Sequence, residues 1–325
     1  MTDRPDIESA ESQINPSGGF DIVEESLKTH NIRPTGTSPK KAGRRCKLTP
    51  KIVGLIERIA REKSHIEKEL KGEREIVQNL GIAQSVVASS QIEGEHITEK
   101  ELESFLHAIT QQENNVETPD LSQRRKAYNS IYNAYVWALN LDKKNYVDYE
   151  LVMELHKRMF ATTTPKFAGK LKKKSVVITG AGYRVTTLAP NKTEAYLRAL
   201  CTNTNRRLRA AELDAEEAFL LVIAEFILDF LAIHPFQDGN GRTARLLSTY
   251  LLKCCGYHFA PSYPLDSIIL ETREDYYHAL FHSQRNWWNE QEDITPWIEY
   301  YITAVDTQYD RARKNIRYNK ARRKA

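Results

Sequence analysis

The sequence predicts a mainly α-helical protein with a single β-hairpin. Three observations carry the prediction. Apolar residues recur at helical spacing in successive segments from residue 50 onward, Gly and Pro are sparse between residues 50 and 160, and one short β-type run flanks a glycine turn near residue 180.

Residues 1–47 hold Pro5, Pro16, Pro34, Pro39, Gly18, Gly19, Gly36 and Gly43 without a sustained apolar period, and are expected to be mostly disordered. Order is expected from Thr49-Pro50, an N-cap followed by proline at the first helical position. Ile52, Ile56, Ile59, Ile66 and Leu70 then share one helical face. A second helix is expected over 73–92, stopping at Gly94, and others over 99–109, 121–141 and 148–160. Val176, Val177 and Ile178 approach Gly180-Ala181-Gly182 and Tyr183–Thr187 leads away, which predicts a hairpin. Helices resume over 193–209 and 215–233, the latter apolar nearly all round and so central to the core. Two or three more occupy 241–255, 273–287 and 296–314.

At 325 residues and 41% apolar composition the chain is long enough for a sizeable core. Its longest apolar stretch, 218–233, is interrupted by Glu225 and Asp229, which excludes a membrane span of ~20 residues. The first residues lack a basic and apolar signal, and Cys46, Cys201, Cys254 and Cys255 make no CxxC or zinc spacing. A reduced, cytoplasmic protein without a membrane partner is expected. The net charge of +4 is unevenly spread: residues 311–325 hold eight Lys/Arg and no acid, so the remainder carries −4.

The chemistry concentrates in His234-Pro235-Phe236-Gln237-Asp238-Gly239-Asn240-Gly241-Arg242-Thr243-Ala244-Arg245. Pro235 disfavours helix at the residue before it, which fixes the His234 imidazole at the end of a rigid element. Phe236 can anchor the loop and leave Asp238 pointing into a site. Gly239 and Gly241 let successive N–H groups turn toward one point, and a helix starts there, adding its unpaired amides and positive dipole end. Arg242 and Arg245, three apart, reach the same side of that helix. An anion cradle, two arginines, a magnesium-type carboxylate and a base suit a nucleoside triphosphate.

This segment resembles the signature of the Fic family, HPFx(D/E)GNGRxxR, at every specified position. The resemblance implies a Fic-type helical fold with a β-hairpin flap over the active site, and transfer of AMP from ATP to a Ser, Thr or Tyr hydroxyl of a target protein with release of pyrophosphate. By that likeness His234 is the base and Asp238 the Mg²⁺ ligand. Asn240 and the amides of Gly239 and Gly241 grip the α-phosphate, Arg242 and Arg245 neutralise the β- and γ-phosphates, and Thr243 belongs to the nucleotide-binding set. Phosphorylating relatives have Ala-Asn-Lys-Arg where this chain keeps Gly239-Asn240-Gly241-Arg242, which favours AMP transfer.

Upstream, Ser89-Ser90-Gln91-Ile92-Glu93-Gly94 resembles the family's inhibitory motif, (S/T)xxxE(G/N). Ser89 and Glu93 stand at i and i+4, and Gly94 can end the helix in the left-handed conformation. A Glu93 carboxylate delivered to Arg245 would occupy the arginine needed for the γ-phosphate. The flap expected at Val177, Ile178, Thr179 and Gly180 would hold the target by main-chain pairing. Where relatives often have Gly-x-x-Arg before the flap, this chain has Gly169-Lys170-Leu171-Lys172, which keeps the charge but loses bidentate geometry. Arg273-Glu274-Asp275-Tyr276-Tyr277 resembles the segment beside the adenine, which assigns Tyr276 and Tyr277 to the nucleotide, although paired tyrosines on helices are also common core residues.

The expected organisation is thus a disordered segment over 1–47, a helical region with the inhibitory helix over 48–115, the catalytic core over 116–306 and a basic tail over 307–325. Alternatives are transfer of another phosphate-containing group, or removal of AMP using Glu93. A nucleic-acid-associated regulator driven by the tail is disfavoured, because the tail has no recognition module behind it. A homodimer holding the inhibitory helix stays open.

Overall fold

The computed structural model describes residues 46–324 apart from 71–73, 111–122, 143–145, 181–182, 215–217, 286 and 288–291. The disorder expected over 1–47 lies outside the described residues as far as 45, and at its end the Lys47 N–H donates to Thr295 Oγ1 at 2.9 Å. In chain order the elements are α1 (Pro50–Leu70), α2 (Arg74–Ile92), α3 (Glu99–Thr110), α4 (Gln123–Leu139), α5 (Tyr149–Phe160), β1 (Val177–Gly180), β2 (Tyr183–Thr186), α6 (Pro190–Asp214), α7 (Ala218–Ile233), α8 (Asn240–Cys254), α9 (Leu265–Glu271), α10 (Arg273–Gln284) and α11 (Thr295–Lys324). The mainly helical class with one antiparallel hairpin is what the structure has.

Helix α7 is the axis of the core. Every residue from Ala218 to Ile233 except Glu225 is buried, and α6, α8, α10 and α11 pack around it. Each fully buried Leu, Ile or Phe contributes about 1.5–3 kcal/mol, so this one helix organises a large share of the apolar gain. Its two acids are compensated. Glu225 takes a two-pronged bond from Arg207 at 2.9 and 3.0 Å, and Asp229 accepts from the Trp287 indole at 2.7 Å. A charge in that position would otherwise cost several kcal/mol.

One continuous core runs from Ile52 on α1 to Ile316 on α11, including α2 residues Ile82, Val86 and Ile92. Arg58 of α1 bonds Asp306 and Asp310 of α11, and Tyr309 donates to Glu62 at 2.7 Å. The helix expected to end at 314 continues to Lys324, with Ala312 and Ile316 buried. The basic residues at 311–318 therefore lie on the outer turns of a packed helix, where Arg311 clasps Glu271 at 2.9 Å. Helix α9 escapes the sequence reading because seven residues are too few to display a helical period.

The hairpin pairs Val177 with Thr186, Ile178 with Val185, Thr179 with Arg184 and Gly180 with Tyr183. Strand β2 lies beside α10, which leaves β1 on the outer side. Among the described residues no helix is long and apolar enough to cross a membrane.

Candidate active site

Helix α7 delivers His234 and then breaks. The His234 N–H still bonds the Phe230 carbonyl at 2.9 Å, but its φ of 51° throws the chain into the left-handed region, rare for a residue with a side chain. Such a conformation persists only where its surroundings enforce it. Here they do: Lys172 N–H donates to the Pro235 carbonyl at 2.9 Å, and Leu171 bridges Phe236 in antiparallel fashion. The Asn240 side-chain amide holds both ends of Phe236, accepting from its N–H and donating to its carbonyl, each at 2.9 Å.

His156 of α5 supports the loop from below. Its ring stacks on Phe236 with centroids 3.7 Å apart and planes 9° from parallel. Gly169 N–H donates to its Nδ1, so Nε2 carries the proton and donates to the Asp238 carbonyl, both at 2.9 Å. Burial pulls this imidazole down to about 4, and the neutral tautomer is the one these two bonds require. Sequence reasoning passed over His156 because a lone histidine on a helix face carries no local signal.

Helix α8 opens at Gly239, whose φ of 79° suits a residue without a Cβ. Thr243 closes the first turn by donating its hydroxyl to the Gly239 carbonyl at 2.9 Å. This corrects two expectations about side chains. Asn240 and Thr243 are both buried with their polar groups committed to the loop backbone, so they shape the cradle and do not line it.

The two arginines are already occupied. The Arg245 guanidinium is 4% exposed; Nη2 donates to Glu93 Oε1 at 2.6 Å and to the Ser89 carbonyl at 3.1 Å, while Nε donates to Ser89 Oγ at 2.7 Å and lies 3.4 Å from Asp266 Oδ1. Arg242 donates to Glu95 Oε1 at 2.9 Å, stacks over Phe160 and lies 3.6 Å from Asp238. Glu93 sits in the turn after α2, where Gly94 has a φ of 90°. Its carboxylate rests on the first turn of α8: a Cβ on Gly241 would stand 2.2 Å from Glu93 Oε1. Burial alone would raise the Glu93 carboxyl, but Arg245, helped by Arg242, holds it below the usual range. Glu95 and Asp266 were missed in the sequence. Only the approach of separate helices joins them to the arginines.

His234 donates from Nδ1 to the Leu231 carbonyl at 3.3 Å, which leaves the Nε2 lone pair as the basic position. Burial and then the Lys172 charge draw the imidazole down to about 4. Tyr276 departs from its expected role: it is buried in an aromatic cluster with Trp297 and Tyr300, 5.7 and 5.8 Å away, so it supports α10 from within the core. Tyr277, half-buried, donates to the Ile92 carbonyl at 3.4 Å, one residue before Glu93. Val177 and Ile178 stand on β1 with Val177 exposed, and Thr179 and Gly180 complete that strand.

Among the described residues no group of three or more His, Cys, Asp and Glu is arranged to hold a metal. Asp238 is nonetheless suited to Mg²⁺. Its carboxylate is 63% exposed at a cationic, amide-rich turn, and Mg²⁺ commonly takes one or two carboxylates, water and substrate phosphates.

The fold and the turn together define a helical domain that presents a glycine-flanked, arginine-bearing turn at a helix N-terminus, with one two-stranded hairpin among the described residues. Residues 146–252, about a third of the chain, match the model of the Fic/DOC family. The chain is 28% identical over 160 residues to the protein adenylyltransferase fic-1 of Caenorhabditis briggsae, covering 49% of this chain and 27% of that one. It is 28% identical over 180 residues to the protein adenylyltransferase Fic of Nematostella vectensis, covering 54% and 36%. The chain thus spans roughly a third of the length of these curated relatives. In fold it resembles a Fic family protein from Desulfovibrio desulfuricans, with a TM-score of 0.62 at 22% identity over 85% of this chain and 77% of that one. It also resembles residues 134–508 of Fic-1 from C. elegans, with a TM-score of 0.59 at 18% identity over 82% and 73%.

Proposed function

We propose that this protein transfers AMP from ATP to a hydroxyl of a protein, and that its own α2 terminus holds it inactive. The observation that carries this reading is the Glu93 carboxylate seated on the first turn of α8 and bonded to Arg245, where an ATP phosphate would bind. Helix N-termini with flanking arginines receive phosphate, and a carboxylate is the natural internal competitor.

Once Glu93 withdraws, the α8 amide N–H groups donate to the α-phosphate oxygens and Arg242 and Arg245 neutralise the outer phosphates. Asp238 would hold Mg²⁺, which supplies charge neutralisation at the phosphate oxygens. The target segment pairs with the outer edge of β1, so its hydroxyl lies over the loop. His234 Nε2 takes the hydroxyl proton as the oxygen bonds the α-phosphorus. The bond from that phosphorus to the bridging oxygen breaks, and pyrophosphate leaves with the electron pair. Catalysis of this kind rests mainly on positioning and charge, with a neutral base to complete the nucleophile.

The brake has two carboxylates. Glu93 holds Arg245 and Glu95, two residues on, holds Arg242. Both phosphate-facing arginines are engaged by the same turn, so retraction of α2 frees them together.

Incubating the Glu93→Gly variant with Mg²⁺ and ATP labelled at the α- or the γ-phosphate tests the assignment. AMP transfer labels protein from α only. Label from γ alone would make the protein a phosphotransferase, and no label on itself or on lysate proteins would overturn the reading.

A further inference from the structure

Lys172 is 3% exposed, yet among the described residues its ammonium bonds only neutral oxygens. Its Nζ donates to the Ile233 carbonyl at 2.8 Å and to Thr187 Oγ1 at 2.9 Å, and its backbone N–H donates to the Pro235 carbonyl at 2.9 Å. Those two carbonyls flank His234. The Ile233–His234 peptide is thereby held at both ends, its oxygen by Lys172 and its N–H by Phe230. The Pro235–Phe236 peptide is held likewise, its oxygen by Lys172 and its N–H by Asn240.

A peptide gripped at both ends cannot rotate, and rotation of the first of these is what would relax the left-handed φ of His234. The other arm of the ammonium reaches the foot of the hairpin. Thr187 follows β2 directly, accepts from Lys172 and donates its own hydroxyl to the Val176 carbonyl at 2.8 Å, just before β1. One side chain therefore spans from the peptide carrying the base to the base of the hairpin.

We propose that Lys172 is a positioning residue for the transfer step, fixing the His234 imidazole relative to the hairpin that presents the target hydroxyl. The inference rests on the proposed AMP transfer. Displacement of a base by about 1 Å can cost on the order of a hundredfold in rate without loosening substrate binding. The ammonium also lies close enough to His234 to favour its neutral form, acting against the Glu93 and Asp238 charges, which favour the protonated one. Burial brings Lys172 itself down to about 8, in keeping with an ammonium held by neutral oxygens alone.

The test uses the full chain carrying Glu93→Gly, with Lys172→Met or Lys172→Arg added. Lys172→Met keeps the backbone bond to Pro235 and removes only the ammonium. The labelling rate at saturating ATP should fall at least tenfold, while calorimetric affinity for the α,β-methylene analogue of ATP stays within twofold. Lys172→Arg, which can still donate to both oxygens, should recover most of the rate. Histidine-ring NMR, with His234 assigned by a His234→Gln variant, should show the His234 titration moving upward in Lys172→Met. Labelling within twofold of the parent would overturn the proposal, as would equal losses of rate, analogue affinity and folded fraction. If the Glu93→Gly parent transfers no AMP, the AMP-transfer reading fails. The NMR arm still judges Lys172, because an unmoved His234 resonance and titration in Lys172→Met removes its positioning role.

Discussion

Glu93 Oε1 lies 2.6 Å from Arg245 Nη2, on a guanidinium also bonded by Ser89 and bordered by Asp266. The pair is built unequally. Arg245 is 4% exposed and locked on several sides, whereas the Glu93 side chain is 32% exposed at the end of a helix. When the pair opens, Glu93 is the partner that moves.

Under the proposed AMP transfer, removing the movable partner should raise labelling and leave the first turn of α8 intact. Glu93→Gly is expected to raise self-labelling at least tenfold over the parent. Scintillation counting after incubation with α-labelled ATP checks this, and equal labelling would reduce Glu93 to a helix terminus.

Glu95 should act in the same direction but more weakly. Its contact with Arg242 is single and partly solvated, and such pairs contribute about 1 kcal/mol, roughly fivefold in an equilibrium. Glu95→Gln is expected to tighten ATP-analogue binding by a few-fold. Combined with Glu93→Gly in a double-mutant cycle, a non-additive result would report that the two carboxylates release as one unit.

Labelling by the Glu93→Gly variant should depend on pH in a way that departs from an ordinary histidine. The active form of His234 is neutral, and burial with the Lys172 charge places its titration at about 4 while Glu93 is present. Glu93 favours the protonated form, so loss of its charge acts to keep that value low. The rate should stay level from pH 8 to about 5 and fall only below that. A rate-limiting ionisation near pH 6.5 would contradict the assigned environment.

His156 should matter for stability as well as rate. Replacing it by Ala removes a ring stacked on Phe236 and the two bonds to Gly169 and Asp238. A loss on the order of 3 kcal/mol is expected from the cavity and the unpaired groups. Urea unfolding would measure it, and a stability change under 1 kcal/mol would mean the loop holds itself.

Much of this was legible before any fold was known, because the deciding signals are local. A helix that must stop before Pro235, glycines at 239 and 241, and arginines three apart each constrain the backbone within a turn or two. The i and i+4 placement of Ser89 and Glu93 is of the same kind. Ser89 and Glu93 both reach Arg245 in the structure. What sequence spacing cannot encode is which distant surface faces a local motif. Tyr276 reads as a nucleotide contact until α10 turns it into the core. Asn240 reads as a phosphate ligand until its amide is seen clamping Phe236.

By itself, then, the sequence determined the helical class, the hairpin, the composition of the loop and the helix that ends just before Glu93. Tertiary structure alone decided that Glu95 meets Arg242, that His156 carries the loop, and that Lys172 spans His234 and the hairpin. Those partners lie from 15 to 147 residues apart, most of them more than 60. Hydrogen bonds and ion pairs act over about 3 Å, so no rule of spacing along the chain predicts them until packing brings the helices together.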